Sequence, residues 1–82
     1  MTEVTYFVAL PFVAADDGIA AGEPIECLNP VAVVMRAEAL SRKPEHVGAI
    51  AFSRTGDPAT GDFGDARIIR RFGAVPDDLS TL

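Results

Sequence analysis

The chain has 82 residues and a formal net charge of −5, which is room for one small domain. The acidic balance and the absence of a sustained Lys/Arg run argue against nucleic acid and against a polybasic membrane anchor, since both need cations set against phosphate. Hydrophobic residues make up 49% of the chain, with five Phe, one Tyr and no Trp, so the composition is not that of a disordered segment and the core must be mostly aliphatic.

Val4 to Val13 reads as a strand. Val4, Tyr6, Val8, Leu10 and Phe12 alternate with Thr5, Phe7, Ala9, Pro11 and Val13, a uniformly large apolar set against a mixed one. The large set is expected to meet the helix-covered core. Pro11 has no N–H and should interrupt pairing on one side. Asp16-Asp17-Gly18 is a turn signal. Ile19 to Cys27 then offers Ile19, Ala21, Ile25 and Cys27 on one face, weakened by Gly22 and Pro24, as in an irregular edge strand folding back as a hairpin.

Asn29-Pro30 has the chemistry of a helix start, with Asn as N-cap and Pro at the first helical position. The predicted helix runs from Asn29 to about Lys43, with Val33, Val34, Ala37 and Leu40 as its buried stripe and Pro44 as its stop. Arg42 and Lys43 are placed in its last turn, where cations suit the helix dipole. Val47 to Arg54 is a second clear strand, with Ile50 and Phe52 on one face and Val47, Ala49 and Ala51 on the other. Thr55 to Gly64 is polar and rich in Gly, and reads as a loop. Ala66 to Gly73 is the last strand; simple alternation puts Ile68, Arg70 and Phe72 on one face and Arg67, Ile69 and Arg71 on the other.

The expected fold class is α+β, in the order β-β-α-β-β: a single, mostly antiparallel four-stranded sheet with one helix on one face. The two clearest strands, Val4–Val13 and Val47–Arg54, belong in the middle. Residues 1–75 form the domain and 76–82 an acidic tail. The predicted core comprises Val8, Leu10, Val33, Ala37, Leu40, Ile50, Phe52 and Ile68.

The most distinctive stretch is Ser53-Arg54-Thr55-Gly56-Asp57-Pro58-Ala59-Thr60-Gly61-Asp62. Glycines let backbone amides converge and Arg54 adds a cation, so Arg54, Thr55, Gly56, Thr60 and Gly61 are candidate ligands for a small anion such as phosphate. The same residues also suit two consecutive turns of a long hairpin loop. The spacing is not that of a Walker loop. Asp57, Asp62 and Asp65 do not match an EF-hand and lack its terminal Glu, so no metal is expected. Cys27 and His46 are the only residues of their kinds, and nothing in the sequence places them together as a nucleophilic pair. No Gly-x-Ser-x-Gly or His-Glu-x-x-His occurs. No catalytic residue and no cofactor are therefore assigned. Arg67, Arg70 and Arg71, with Arg54 across the hairpin, read as charge on a solvated edge or as a docking patch for an acidic partner.

A lone cysteine fits a reducing compartment. Met1-Thr2-Glu3 lacks the positive stretch of a signal peptide, and the apolar run from Tyr6 to Ala15 is too short to span a bilayer. The chain is read as cytoplasmic, with neither membrane nor nucleic acid as partner.

Tyr6-Phe7-Val8, Arg36-Ala37-Glu38-Ala39-Leu40, Gly48 through Gly61 and Arg71-Phe72-Gly73-Ala74-Val75-Pro76-Asp77-Asp78 together resemble a group of short alphaproteobacterial conserved hypothetical proteins of unknown function. The resemblance covers most of the chain and implies a bacterial, cytosolic, compact domain; it carries no mechanism over.

Two functional classes follow. The first is a non-enzymatic interaction module that self-associates: with the helix on the large-residue face, the other face would expose Phe7, Val13, Ala49, Ala51 and Ile69 as a homodimer interface. The second is a small-anion or phosphate-binding protein using the 53–61 loop.

Overall fold

The computed structural model describes residues 3–76. Within them lie six strands and one helix: β1 (Val4–Ala15), β2 (Gly18–Ala21), β3 (Ile25–Cys27), α1 (Pro30–Ser41), β4 (Gly48–Asp57), β5 (Asp62–Phe63) and β6 (Arg67–Gly73). All pairings are antiparallel. β1 and β4 form the centre, joined by an unbroken register from Val4↔Gly56 to Phe12↔Gly48. The outer edge of β1 is shared by β2 and β3, and that of β4 by β5 and β6. The α+β class and the two central strands agree with the sequence. The four expected strands become six because the Ile19–Cys27 edge strand is broken into β2 and β3 and the stretch expected to be a loop contributes β5.

The break between β2 and β3 follows from Pro11. It has no N–H to offer a partner, so Gly22–Pro24 leaves the ladder there, and the one bond that survives runs from Gly22 N–H to the Pro11 carbonyl at 2.8 Å. On the other side the stretch expected to be a loop is partly strand. β4 continues to Asp57 and closes a tight hairpin onto β5.

α1 begins as its sequence dictates. Asn29 Oδ1 accepts the Ala32 N–H at 2.7 Å, and Pro30 occupies the first turn, where its missing N–H costs nothing. The helix ends at Ser41, so Arg42 is its C-cap rather than part of its last turn. Arg42 pairs with Glu38 at 3.3 Å, and the Nδ1–H of His46 donates to the Leu40 carbonyl at 2.7 Å, tying the connection to β4 onto the helix end.

The position of α1 reverses the expected faces. It lies on the small-residue side of the sheet. Val33, Ala37 and Leu40 form one buried cluster with Ala9, Ala49 and Ala51, flanked by Phe7, Ile25, Cys27, Ile69 and Phe72. Leu10, Phe12, Ile50 and Phe52 form a second cluster on the opposite face. The predicted core therefore divides into two, with Val8 and Ile68 half-buried beside the second cluster. The physical reason is distance. Alanines let a helix backbone settle close to a sheet, whereas a row of Leu, Phe and Ile would hold it off.

Part of the large-residue face is covered by the chain itself. At Gly73, φ is +69°, a conformation open to glycine. It turns the chain back so that Val75 packs on the second cluster from one end while Ala66 packs on it from the β5–β6 connection. Gly48, in register with Gly73, gives this turn room: a Cβ there would lie 2.7 Å from the Phe72 carbonyl oxygen. Two aromatic residues close the other end of the face. Phe63 stands opposite Gly56, over the space a side chain would fill, with its ring centroid 5.7 Å from that of Tyr6.

A register shift between Ala51 and Phe52 changes which β6 residues share a side. Ile68 stays with the second cluster, but Ile69 and Phe72 both pack on the helix side. An extra residue on one strand reverses the alternation beyond it. Arg71, opposite Ile50, then takes the side expected for Arg70. Arg70 is exposed, with its guanidinium carbon 5.6 Å from the Phe72 ring centroid. Of the expected acidic tail, Pro76 is half-buried and 77–82 lie outside the described residues.

Candidate functional site

The 53–61 stretch does not gather its candidate ligands. Arg54 is in register with Tyr6 on the large-residue face, while Thr55, one residue on, turns to the other face and meets Thr5, Oγ1 to Oγ1 at 2.8 Å. Gly56 is buried against Phe63. Thr60 and Gly61 belong to the tip of the hairpin, whose backbone donors are already used. Asp57 Oδ1 accepts from Ala59 N–H at 2.9 Å, and the Asp57 carbonyl accepts from Thr60 and Gly61 N–H at 3.2 and 2.9 Å. Thr60 Oγ1 accepts from Asp62 N–H at 3.4 Å. The Asp57 carboxylate thus sits where an anion would have to bind. The alternative reading of these residues, as turn chemistry, describes this tip.

The expected interface is also displaced. Ala49 and Ala51 have no exposed surface, and Phe7 and Ile69 pack around them under α1. Val13, half-buried, lies further along β1 opposite Ala20. The four arginines of the proposed basic patch are divided as well: Arg54 and Arg71 align with Tyr6 and Ile50 on one face, Arg67 and Arg70 with Ser53 and Ala51 on the other. Cys27 ends β3 with its sulfur 3.9 Å from the Ile25 carbonyl oxygen, while His46 is engaged at the end of α1. Among the described residues, no group of three or more His, Cys, Asp or Glu side chains is arranged to hold a metal ion. None of the helices in the described residues is long and apolar enough to cross a membrane.

Two surface features stand out. The first is the outer side of α1. A helix that seats one stripe on a sheet usually turns charge to the other side. Here the outward positions are Leu28, Val31 and Met35, 94%, 69% and 66% exposed, with Ala32 and Ala39 beside them. Val31, Met35 and Ala39 are four residues apart, so they stack along one line, and Leu28 extends it a turn beyond the helix start. Charge enters this side only at Arg36, Glu38 and the Arg42 cap. Helical spacing in the sequence points to the inner stripe alone; the signal for this second one is the continuous apolar run from Pro30 to Met35, which gives the helix two greasy sides.

The second feature is an open groove of about 360 Å³ on the large-residue face, lined by Tyr6, Val8, Pro24, Phe52, Arg54 and Phe63. Four separate stretches of chain supply it: β1, the β2–β3 break, β4 and β5. Its walls are aromatic and aliphatic, and Arg54 is the cation among the lining residues.

Comparison of the chain with protein families, with curated proteins and with solved structures yields no match in any of the three.

Proposed function

We propose that this chain is a small cytosolic, non-enzymatic interaction module that self-associates through the outer side of α1. The observation that supports this reading is the exposed row of Leu28, Val31 and Met35. Isolated surface hydrophobics are ordinary, but a contiguous row along one helix is the pattern of an interface. A second copy suits it. Closed twofold pairing is the commonest form of assembly. If two α1 helices cross antiparallel at Met35, helical periodicity sets Ala32 of each against Ala39 of the other, so the backbones can approach closely there. It also sets Leu28 along the aliphatic stem of the partner's Arg42.

Sedimentation velocity tests the reading. The wild-type chain is expected to sediment as a dimer at micromolar concentration, and Met35→Glu as a folded monomer with an unchanged far-UV spectrum. A monomeric wild type, or a dimeric Met35→Glu, would remove the reading's support.

A further inference from the structure

We propose that the free edge of β6 accepts an acidic, extended segment of a partner protein as an added strand. Among the described residues β6 pairs with β4 alone, so its other side is open. The Ala74 N–H donates to the Val47 carbonyl at 2.9 Å, and the carbonyl oxygens of Phe72 and Ala74 both lie against Gly48. Phe72 and Ala74 therefore turn their peptide groups toward β4. By the period of two along a strand, Arg71 between them turns its N–H and C=O outward. Strand addition uses an unpaired donor and acceptor of this kind.

The charge on this edge selects the partner. The seven residues of β6 hold Arg67, Arg70 and Arg71, three of the seven Lys and Arg in a chain with twelve acidic residues. All three are exposed, and none forms an ion pair with a described residue. Arg67 and Arg70 stand on the helix side of the sheet and Arg71 on the other. A ligand lying on one face would reach only some of them. A strand beside the edge sends successive side chains to both faces, so carboxylates at neighbouring positions meet all three. The planar guanidinium fork matches the two oxygens of each carboxylate. A second copy of β6 would instead set arginine against arginine, which is unfavourable across a strand pair. The same charges that deter self-pairing at this edge therefore admit an acidic strand.

A blocked peptide built of repeated Glu-Glu-Val units is the probe. Its uniformly N-methylated form keeps the charge and loses every backbone donor, and a Lys-for-Glu form reverses the charge. In hydrogen exchange followed by two-dimensional NMR, the free protein is expected to exchange the Arg71 amide fast and the Phe72 amide slowly. The Glu peptide is expected to slow Arg71 by about tenfold or more and to shift the amides of residues 67–73. The N-methylated form should bind about tenfold more weakly, and the Lys form not at all. Arg71→Gln should weaken binding about two- to fivefold, and Arg67→Gln, Arg70→Gln and Arg71→Gln together about tenfold or more. Equal affinity for the N-methylated form overturns the proposal, because charge alone would then hold the peptide. An Arg71 amide already protected in the free protein overturns it too, since a second copy or the chain's own end would occupy the edge. So do an absence of binding at millimolar concentration, shifts confined to Leu28, Val31 and Met35, and an affinity that survives the triple substitution.

Discussion

Ala51→Leu places three additional carbon atoms directly beneath α1. Ala51 has no exposed surface, and neither have Ala9, Val33, Ala37 and Ala49, which share its cluster. The added volume can be accommodated only by lifting the helix. The helix is held at its start by the Asn29 cap and at its end by His46 on the Leu40 carbonyl, so lifting it disturbs both ends. Overpacking of this kind costs about 1–3 kcal/mol. For a domain of this size each kcal/mol lowers Tm by about 4–8 °C, so the expected fall is on the order of 5–20 °C. Urea and thermal denaturation followed by far-UV circular dichroism measure it, with an unchanged m-value showing that the transition is still the same one. Ala20→Leu on the exposed β2 strand is the control and should stay within about 0.5 kcal/mol of wild type. If Ala51→Leu were equally harmless, α1 would not rest on the alanine face, and the reversal of faces described above would be wrong.

Two further substitutions probe the ends of elements. Asn29→Ala removes the acceptor for the Ala32 N–H and should cost about 1 kcal/mol, read as a lower urea midpoint; no change would mean that the cap is not formed in solution. Gly48→Ala forces a Cβ against the Phe72 and Ala74 backbone and should destabilise by at least about 1–3 kcal/mol, whereas a neutral result would show that the chain does not turn back over the sheet at Gly73.

Much of the fold was legible because local chemistry agreed with it. Asn29-Pro30 defined the helix start, Asp16-Asp17-Gly18 the first hairpin, and the apolar runs around Val8 and Ile50 the two central strands. The side of the sheet that receives the helix was not legible. Alternation shows that two faces differ, but here both are apolar, and the assumption that larger residues attract the helix is wrong where alanines let it sit closer. The alternation on β6 failed for a separate reason: the extra residue near Ile69 leaves no mark in composition. As for the candidate sites, the 53–61 stretch was rightly singled out as unusual, but its singularity is that of a hairpin tip. Arg54 was noticed for its charge, and only the β1–β4 register shows that it shares a groove with Tyr6 and Phe63. Those partners are 48 and 9 positions away along the chain, beyond what a local motif can reveal.

The central ladder has a consequence for how the molecule comes into being. Val4 meets Gly56 and Phe12 meets Gly48, so the two middle strands belong to distant parts of the chain, with the edge hairpin and the whole helix made between them. During synthesis β1, β2 and β3 can pair as soon as they emerge, but the other edge of β1, carrying Val8, Leu10 and Phe12, waits for β4. Closing so long a loop before any reward slows folding relative to a helical protein of equal length, toward the millisecond-to-second range of mainly β domains. Throughout that wait the nascent chain displays an apolar strand edge that another chain can add to, so the interval before β4 arrives is when this small protein is most exposed to aggregation.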